Sequence, residues 1–484
     1  MWLRINIGWL REHISFDQLS SLALVAFIAA VGFAIALLPL TLAGIAILGG
    51  IVLLATLIRP EFGLYILIFA IPFGSIKEMT IGGFTVGAAE ASAGLVLACW
   101  LAKMAAVREV KTAHPPLLLP FLIFLGAILL SLTGALSLRY SLKEVLKWLE
   151  ALAIYLFVVN ITSRERAEIA VTFILLAGIG QALLGLYQFL GCVGPKHFVI
   201  LGRFVRAYGT FEQPNPYGGY LGLVLPLTYG MLLGAGKSDT SHRSADLLLA
   251  VLGFVLMGSA LIMSWSRGAW LGFIAAFVAM NMAYSRRWAV IFTLACLFVA
   301  SLPFLSDLHL LPEAIAHRLV GLLPYLSIFD VRGVEVTSAN YAIVERMAHW
   351  QAAWGMFSDH PWLGVGIGNY EPVYPAYALP GWEEPLGHAH NYYLNIMAET
   401  GLVGLTAYLL LWGAAFLRAW KAVRTCNGYR QAVAVGIFGA LVHLSVHNLF
   451  DNLYVHSMQV HIAILLGLLW AIGADDREED AHRH

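Results

Sequence analysis

The stretch HAHNYYLNIMAETGLVGLTAYLLLWGAAFL, residues 388–417, joins a short polar segment to a long apolar run. The run 392–417 exceeds the roughly 20 apolar residues that a helix needs to cross the hydrocarbon of a bilayer. His388, His390 and Asn391 lie directly in front of that run. The stretch therefore predicts a membrane-spanning helix with two imidazoles at its entrance.

The composition of the whole chain extends this prediction to the rest of the protein. Of its 484 residues, 60% are hydrophobic and only 12% are charged, whereas about a quarter of the residues in a soluble domain are charged. The net charge is zero, so nucleic acid is not an expected partner. The four cysteines lie far apart without metal-binding or CxxC spacing, which predicts neither a disulfide framework nor a zinc site. The composition thus excludes a soluble protein and predicts apolar surface facing lipid.

Apolar runs of membrane-spanning length recur along the chain. We predict an all-α polytopic membrane protein with about 14 transmembrane helices (about 12–14), since the strands of a membrane barrel would be only about ten residues long. The runs lie near residues 21–40, 42–58, 62–76, 86–102, 117–134, 146–161, 167–190, 215–234, 247–264, 268–284, 288–304, 392–417, 432–450 and 455–473.

The positive charges predict which loops face the cytoplasm. Lys and Arg concentrate in the cytoplasmic loops of membrane proteins, and with the amino terminus inside they fall mainly in inner loops such as 103–111 and 418–430. The short run 62–76 is retained, because removing it would turn the most basic loops outward. Both termini are therefore predicted in the cytoplasm. Residues 1–18 show no cleavable signal peptide and predict an amphipathic helix on the membrane surface.

A long polar loop, residues 305–391, falls on the outer side in this topology. Its many Trp and Tyr residues favour a folded cap over a disordered linker, and a helix within it is expected to end at Pro361. The segment GVGIGNY, 364–370, has glycine spacing that occurs in nucleotide sites, but no strand–turn–helix pattern surrounds it. Tight turns are the better interpretation.

Three loops with functional polar residues converge on this same outer side. The first is LGRFVRAYGTFEQPNPYGGYLG, 201–222, the second is MSWSRGAWLG, 263–272, and the third is the segment before residue 392. Our candidate site residues in these loops are Arg203, Arg206, Gln213, Asn215, Arg267, His388, His390 and Asn391, with Arg346 in the outer loop and His447 at the end of a later span as further candidates.

The arginines predict an anion site. A guanidinium keeps its charge and grips phosphate oxygens through two parallel hydrogen bonds. Arg267 lies at the tip of a short hairpin between small residues, and Arg206 precedes a turn. The alternative for a lone arginine is an anchor that reaches the lipid headgroups. Two arginines would match the charge of a diphosphate.

The histidines predict acid–base chemistry. His390 is a candidate base for a hydroxyl, because imidazole titrates near neutral pH; the alternative is a structural histidine at a helix entrance that Asn391 caps. His388 would support its neighbour. A metal at this pair would need further ligands and no HxxxH spacing is present, so we expect no metal. In SVHNLFDNLYVH, 445–456, His447 and Asp451 are expected to share a helical face and to form a core pair rather than a catalytic one.

Four segments in order resemble the signatures of the O-antigen ligase/polymerase family of bacterial membrane glycan transferases. They are RAYGTFEQPNPYGGYLG, SWSRGAWLG, HPWLGVGIGNY and HAHNYYLNIMAETGLVG. The ligase members carry His-Asn, nine residues, then Gly, and here His390 and Asn391 precede Gly401 at that spacing. The resemblance covers roughly residues 200–450. It divides the chain into N-terminal transmembrane helices (1–200), a catalytic region containing loop 305–391 (201–450), and a last transmembrane helix with a cytoplasmic tail (451–484).

The resemblance implies a fold, a reaction and a location. The fold would be like that of membrane glycosyltransferases of the C type, in the cytoplasmic membrane of a bacterium. The donor would be a glycan on undecaprenyl diphosphate at the outer face, and the acceptor lipid A-core or a growing glycan. His390 would be the base, and Arg206 and Arg267 would bind the diphosphate. The reaction would be inverting and would need neither metal nor cofactor.

Other functions stay open at this point. A polymerase of the same family would extend the glycan instead of attaching it to lipid A-core. A transporter of bicarbonate or another small anion would be expected to carry ionisable residues at mid-membrane, where Glu90 and Glu150 are the main ones. A scaffold in an envelope complex would tolerate replacement of the arginines and His390.

Overall fold

The computed structural model describes residues 25–33, 39–74, 79–81, 84–107, 115–235, 243–285, 330–337 and 340–473, together with a few single positions between 287 and 294. Four predicted features lie outside the described residues. They are the surface helix at residues 1–18, most of the span at 288–304, the first part of the outer loop at 305–329, and the carboxyl-terminal tail beyond residue 473.

The described chain is almost entirely helical, which confirms the all-α prediction. The elements, in order, are α1 (Leu40–Ile58), α2 (Pro60–Phe73), β1 (Met79–Ile81), β2 (Phe84–Val86), α3 (Ala88–Val107), α4 (Leu118–Ser131), α5 (Leu138–Ile161), α6 (Arg164–Leu190), β3 (Val199–Ile200), β4 (Phe204–Val205), α7 (Pro214–Gly234), α8 (Arg243–Met263), α9 (Arg267–Tyr284), α10 (Tyr341–Asp359), α11 (Tyr370–Val373), α12 (Tyr392–Thr425), α13 (Gly428–His447) and α14 (Met458–Gly473). The strands form two antiparallel hairpins, β1 with β2 and β3 with β4.

Several of these helices can cross a membrane. In the described part of the chain, five are long and apolar enough, namely Ala88–Ala106, Arg164–Leu190, Ser244–Met263, Tyr392–Thr425 and Gly428–His447, and four shorter helices are also apolar. Many large apolar side chains on them are exposed, as in α4, where Leu119 is 66% exposed. Such surface suits lipid, so the chain is an integral membrane protein. The count of about 14 spans stays a prediction.

The chain divides into two compact units. One comprises Met1–Leu64 and Leu95–Val110, and the other comprises Tyr65–Gly94 and Lys111–His484. In the second unit α7 is buried along nearly its whole length and packs closely on α13. Small residues permit this approach: a side chain at Gly436 would meet the Cα of Leu227 at 2.7 Å. Close backbone packing through glycine is typical of helices in membranes.

Helix α12 is broken at Gly401, whose φ and ψ are 63° and −162°. The segment 361–366 supplies the hydrogen bonds that the break removes. The backbone N–H groups of Leu402 and Val403 donate to the carbonyls of Pro361 (2.8 Å) and Trp362 (3.2 Å). On the other side of the break, the N–H groups of Val365 and Gly366 donate to the carbonyls of residues 398 (3.0 Å) and 399 (2.9 Å). We call this segment the 361–366 clamp.

The clamp explains the glycines of two predicted motifs. A Cβ on Gly401 would overlap the backbone of Trp362, and one on Gly364 would overlap the backbone at residues 399 and 400. Gly364, Gly366 and Gly368 all have positive φ, which confirms the tight turns expected for GVGIGNY. Gly401, the glycine of the His-Asn-x9-Gly spacing, is therefore the position at which the 361–366 clamp packs into the break of α12.

The outer-loop helix predicted to end at Pro361 is α10, which ends at Asp359, as expected. It packs on the first part of α12 and on α11 through a core that contains Met356, Tyr370, Tyr374 and Ala398. The described part of the outer loop is thus folded onto the start of α12. This packing holds the segment before residue 392 between α10 and the end of α13.

Candidate active site

Asn391 fixes the segment that carries the two histidines. Its side-chain oxygen accepts hydrogen bonds from the backbone N–H groups of Tyr393 (3.0 Å) and Leu394 (3.1 Å), which makes it the N-cap of α12. Asn395 adds a second anchor, since its side-chain oxygen accepts from the N–H of Ala389 (3.0 Å). The structure therefore shows that Asn391 caps α12. The side chain of His390 takes no part in this cap.

The two imidazoles lie together, with ring centroids 4.5 Å apart. The backbone N–H of His390 donates to Nδ1 of His388 (3.0 Å). His388 therefore carries no proton on Nδ1 when neutral, and its proton resides on Nε2. Burial lowers the pKa of His388 to about 4, and the neighbouring His390 adds to this effect. His388 is consequently neutral at pH 7, and its role as a support for His390 stays a prediction.

Asp451 faces both histidines. Its Oδ1 lies 3.8 Å from Nε2 of His388 and 3.8 Å from Nδ1 of His390. Burial tends to raise the pKa of Asp451, but its interactions with His390, His388 and His447 outweigh this and lower it, so the carboxylate is charged. An anion at Nδ1 would hold that nitrogen protonated and leave Nε2 of His390 to accept a proton, the arrangement of a base and its orienting carboxylate.

The expected helical pairing of Asp451 with His447 is wrong. Helix α13 ends at His447, and the chain turns there, with the N–H of Asp451 donating to the carbonyl of His447 (3.1 Å). Asp451 therefore lies beyond the helix, where it faces residues 388 and 390 and also interacts with His447. The turn is held against α12 by a hydrogen bond from the N–H of Tyr392 to the carbonyl of Asn448 (2.8 Å).

His349 of α10 closes the other side of His390. The two ring centroids are 5.6 Å apart and the rings are nearly perpendicular. His349 also stacks on Tyr374, and its Nδ1 lies 2.9 Å from the hydroxyl of Tyr370. Burial lowers the pKa of His349 to about 3, with His390 and His388 contributing. The sequence did not single out His349, because a histidine inside a polar outer helix carries no distinguishing spacing.

Arg206 is held in place by three hydrogen bonds. Its Nε donates to the carbonyl of Ser264 (2.9 Å), and Nη2 donates to the side-chain oxygen of Asn215 (3.2 Å) and to the carbonyl of Trp265 (3.3 Å). Burial, together with the positive charges of Arg267 and Arg346, lowers the pKa of Arg206 to about 10. Three cations therefore act on one another here, an arrangement that an anion would relieve.

The structure brings together some of the predicted residues and separates others. Arg267 is the exposed first residue of α9, and Arg346 acts electrostatically on both Arg206 and His388. In contrast, the guanidinium of Arg203 lies over the ring of Phe204. Gln213 is the exposed N-cap residue of α7, and its side chain makes no cap hydrogen bond. The last two stay predictions without a contact to the histidines among the described residues.

His388, His390 and Asp451 also have the geometry of a metal site. They offer ligand atoms within 4.8 Å of one another, and catalytic zinc commonly has three protein ligands. The surroundings are unfavourable for a divalent cation, because the charges of Arg346 and Lys147 act on His388. The positions of these three side chains fit either a bound metal ion or a protonated imidazole. The expected absence of metal therefore stays a prediction.

Comparison with known proteins agrees with this site. Residues 252–409 match the family model described as O-antigen ligase. Over 339 residues the chain is 24% identical to a protein named O-antigen ligase from Pseudomonas aeruginosa strain PAO1, which covers 69% of this chain and 72% of that relative. The matched region includes Arg267, His390 and the clamp. In this region the chain is therefore similar to the O-antigen ligase family.

Proposed function

We propose that this membrane glycan-transferring ligase takes a glycan from undecaprenyl diphosphate and attaches it to a hydroxyl of lipid A-core at the outer face of the bacterial cytoplasmic membrane. The observation that carries the proposal is the environment of His390. Both of its ring nitrogens are buried without a hydrogen-bond partner among the described residues, while Asp451 lies 3.8 Å from Nδ1. A buried imidazole with an unused nitrogen is prepared to accept a proton from a bound hydroxyl.

The residues act as follows in the proposed reaction. Nε2 of His390 removes the proton of the acceptor hydroxyl, whose oxygen then forms a bond to the anomeric carbon of the donor sugar. The bond from that carbon to the diphosphate oxygen breaks, and the electron pair leaves with undecaprenyl diphosphate. Arg206 and Arg267 bind the diphosphate and stabilise its growing charge. Attack from the face opposite the leaving group inverts the configuration at the anomeric carbon.

The direct test is transfer in vitro from a lipid-diphosphate-linked glycan to lipid A-core. We expect wild-type protein in nanodiscs to transfer without added metal and in the presence of EDTA. His390→Asn should reduce transfer by roughly 10²–10⁴-fold, the contribution of a positioned base. Asparagine tolerates the positive φ of residue 390 better than alanine does, so the backbone is disturbed least. Loss of activity with EDTA that zinc restores would contradict the metal-independent reaction.

His360→Asn is the matched control, because His360 is exposed at the end of α10. It should transfer at the wild-type rate. Transfer by His390→Asn at that same rate would exclude His390 as the base. A polymerase is separated from a ligase in a deletion strain: loss of a ligase leaves lipid-linked polymer in the membrane, whereas loss of a polymerase leaves single repeat units.

A further inference from the structure

A polar cavity of about 250 Å³ lies next to the histidine segment. It is lined by Tyr140, Glu144, Glu371, Asn395, Glu399 and Asn452. Gly387 and Tyr392, on either side of the histidine segment, also line it, and Asn452 directly follows Asp451. The volume is just below the roughly 300–1,000 Å³ of pockets for drug-sized ligands, which suits a single sugar ring.

Two asparagines are oriented so that their amide N–H groups are available to a ligand. The side-chain oxygen of Asn395 accepts from the N–H of Ala389 (3.0 Å), and that of Asn452 accepts from the N–H of Tyr454 (2.9 Å). These backbone donors fix which end of each amide is oxygen. Within the described chain neither amide nitrogen has a hydrogen-bond partner, although Asn395 is only 5% exposed. A donor that has no protein partner and lies at a cavity is free to bond to a ligand or to water.

The remaining polar groups of the cavity are mostly carboxyl groups. Glu399 accepts from the N–H of Tyr370 (3.0 Å), and the hydroxyl of Tyr140 lies 3.5 Å from Glu371. Glu144 is paired with Lys147 at 2.5 Å. Amide donors beside carboxylate acceptors match the hydroxyls of a sugar, which both donate and accept. Three glutamates against the single lysine, Lys143, in the lining favour a neutral sugar over a phosphate or a uronic acid.

We infer that this cavity binds a neutral sugar of the acceptor, an assignment that rests on the proposed function. The cavity is lined by three glutamates, by one lysine, Lys143, and by no arginine, so its charge does not suit the donor diphosphate. Arg206, which is bonded to Ser264 and Asn215, and Arg267, whose charge acts on it, would bind the donor diphosphate instead. The sugar hydroxyl that loses its proton must lie at His390, and the cavity adjoins the segment that carries it. The acceptor, rather than the diphosphate-linked donor, therefore fits this cavity.

Initial rates in nanodiscs test the assignment, with lipid A-core varied at saturating donor and the donor varied at saturating lipid A-core. Asn395→Asp and Asn452→Asp each keep the oxygen that accepts a backbone N–H and lose the amide donor. We expect the KM for lipid A-core to rise roughly five- to a hundredfold, because a sugar hydroxyl loses its partner. The KM for the donor should stay unchanged, which a merely structural effect would not produce.

Asn340→Asp makes the same chemical change at the start of α10, outside the cavity, and should leave both KM values unchanged. Thermal unfolding identifies a variant that fails to fold, and the second asparagine then decides the question. If wild type transfers and neither variant alters the KM for lipid A-core, the cavity assignment is wrong while the proposed function stands. If wild type does not transfer at all, the proposed function fails and the assignment fails with it.

Discussion

His390 has an unfavourable backbone conformation, and its ring nitrogens have no hydrogen-bond partner among the described residues. Its φ of 51° lies in the left-handed region, which is unfavourable for a residue with a side chain. Neighbouring contacts maintain it: the N–H of His390 donates to His388, and Asn391 begins α12 immediately afterwards. Conformations of this kind occur where the surrounding structure enforces them, often at functional sites. The strain observed here supports the choice of His390 over His388.

The sequence could predict His390 and Asn391 but not Asp451 as their partner. The histidine and the asparagine stand together before an apolar run, where the spacing reveals them. Asp451 follows α13, and no glycine or proline marks the end of that helix in HLSVHNLFDN. Without that signal, Asp451 was assigned to the helix. Its true neighbours depend on the turn that attaches residue 448 to Tyr392, a contact between distant parts of the chain.

Asp451→Asn should lower kcat for transfer by roughly 10²–10⁴-fold, because a neutral amide would no longer stabilise a protonated His390. The KM for the donor should change little, since Asp451 is a positioning residue and does not bind the diphosphate. Steady-state kinetics in nanodiscs measure both constants. Asp330→Asn, at an exposed aspartate of the outer loop, is the control. An Asp451→Asn variant with unchanged kcat would remove Asp451 from the mechanism.

The buried histidines predict a loss of stability in acid. Burial lowers the pKa of His349 to about 3 and that of His388 to about 4 from an ordinary value of 6.5. Between pH 6.5 and 4 the unfolded chain therefore binds more protons than the folded chain, so the free energy of unfolding falls as the pH falls. Asp451, whose pKa is lowered from 3.8, loses its contribution only below this window.

Thermal unfolding in detergent at pH 7, 6 and 5 should show this decline. His349→Phe keeps an aromatic ring against Tyr374 and removes the buried titrating group. The variant should lose the hydrogen bond to Tyr370 at every pH, and its unfolding temperature should decline less steeply with acid than that of wild type. Parallel declines in the two proteins would show that His349 does not contribute to acid sensitivity.

At the scale of elements, the sequence predicted α12 as a span but not its break. The run around Gly401 contains Glu399 and Thr400, but neither residue indicates that the helical hydrogen bonds stop there. The partner segment 361–366 lies some distance upstream in a polar loop, so only the fold reveals that its carbonyls replace those of the helix. The tight turns of GVGIGNY were predictable because glycines at alternate positions suit positive φ.

Gly401→Ala should destabilise the protein by more than about 1–3 kcal/mol, since it adds a strained backbone conformation to an overlap with Trp362. Thermal unfolding and transfer assays measure the loss of stability and of activity. Gly413→Ala is the matched control in the same helix, because a Cβ there meets no heavy atom within 4 Å. Equal unfolding temperatures for both variants would contradict the role of the clamp.

At the scale of the whole molecule, composition predicted the membrane and the charges predicted a topology. The apolar surface of the described helices confirms the first. The second stays a prediction, because a folded chain without a bilayer does not reveal which side its loops face. Sequence periodicity also could not place Arg206, Arg267 and Arg346 near one another, since they belong to three separate loops and helices.

Cys192 offers a native probe of sidedness. It is exposed after α6, where the charge pattern predicts the outer face, whereas Cys99 and Cys426 are buried. In a Cys296→Ser protein, which removes the cysteine outside the described residues, a membrane-impermeant maleimide should label Cys192 in intact spheroplasts, and the further change Cys192→Ser should abolish that labelling. Thr425→Cys, added to this double variant at the end of α12, should be labelled only after permeabilisation. Labelling of Thr425→Cys in intact spheroplasts would invert the topology.

The position of the break in α12 can also be compared with the thickness of the membrane. A continuous helix of 34 residues would be about 51 Å long, well beyond the hydrocarbon layer of about 30 Å. Counting about 17 residues back from Arg418, the first basic residue of α12, reaches the break, and about 17 is the lower end of the length of a membrane span. Gly401 would then mark the outer hydrocarbon boundary, with His390 at most roughly 16 Å beyond it. A donor anchored by its polyprenyl chain would reach that level while its tail stays in the bilayer.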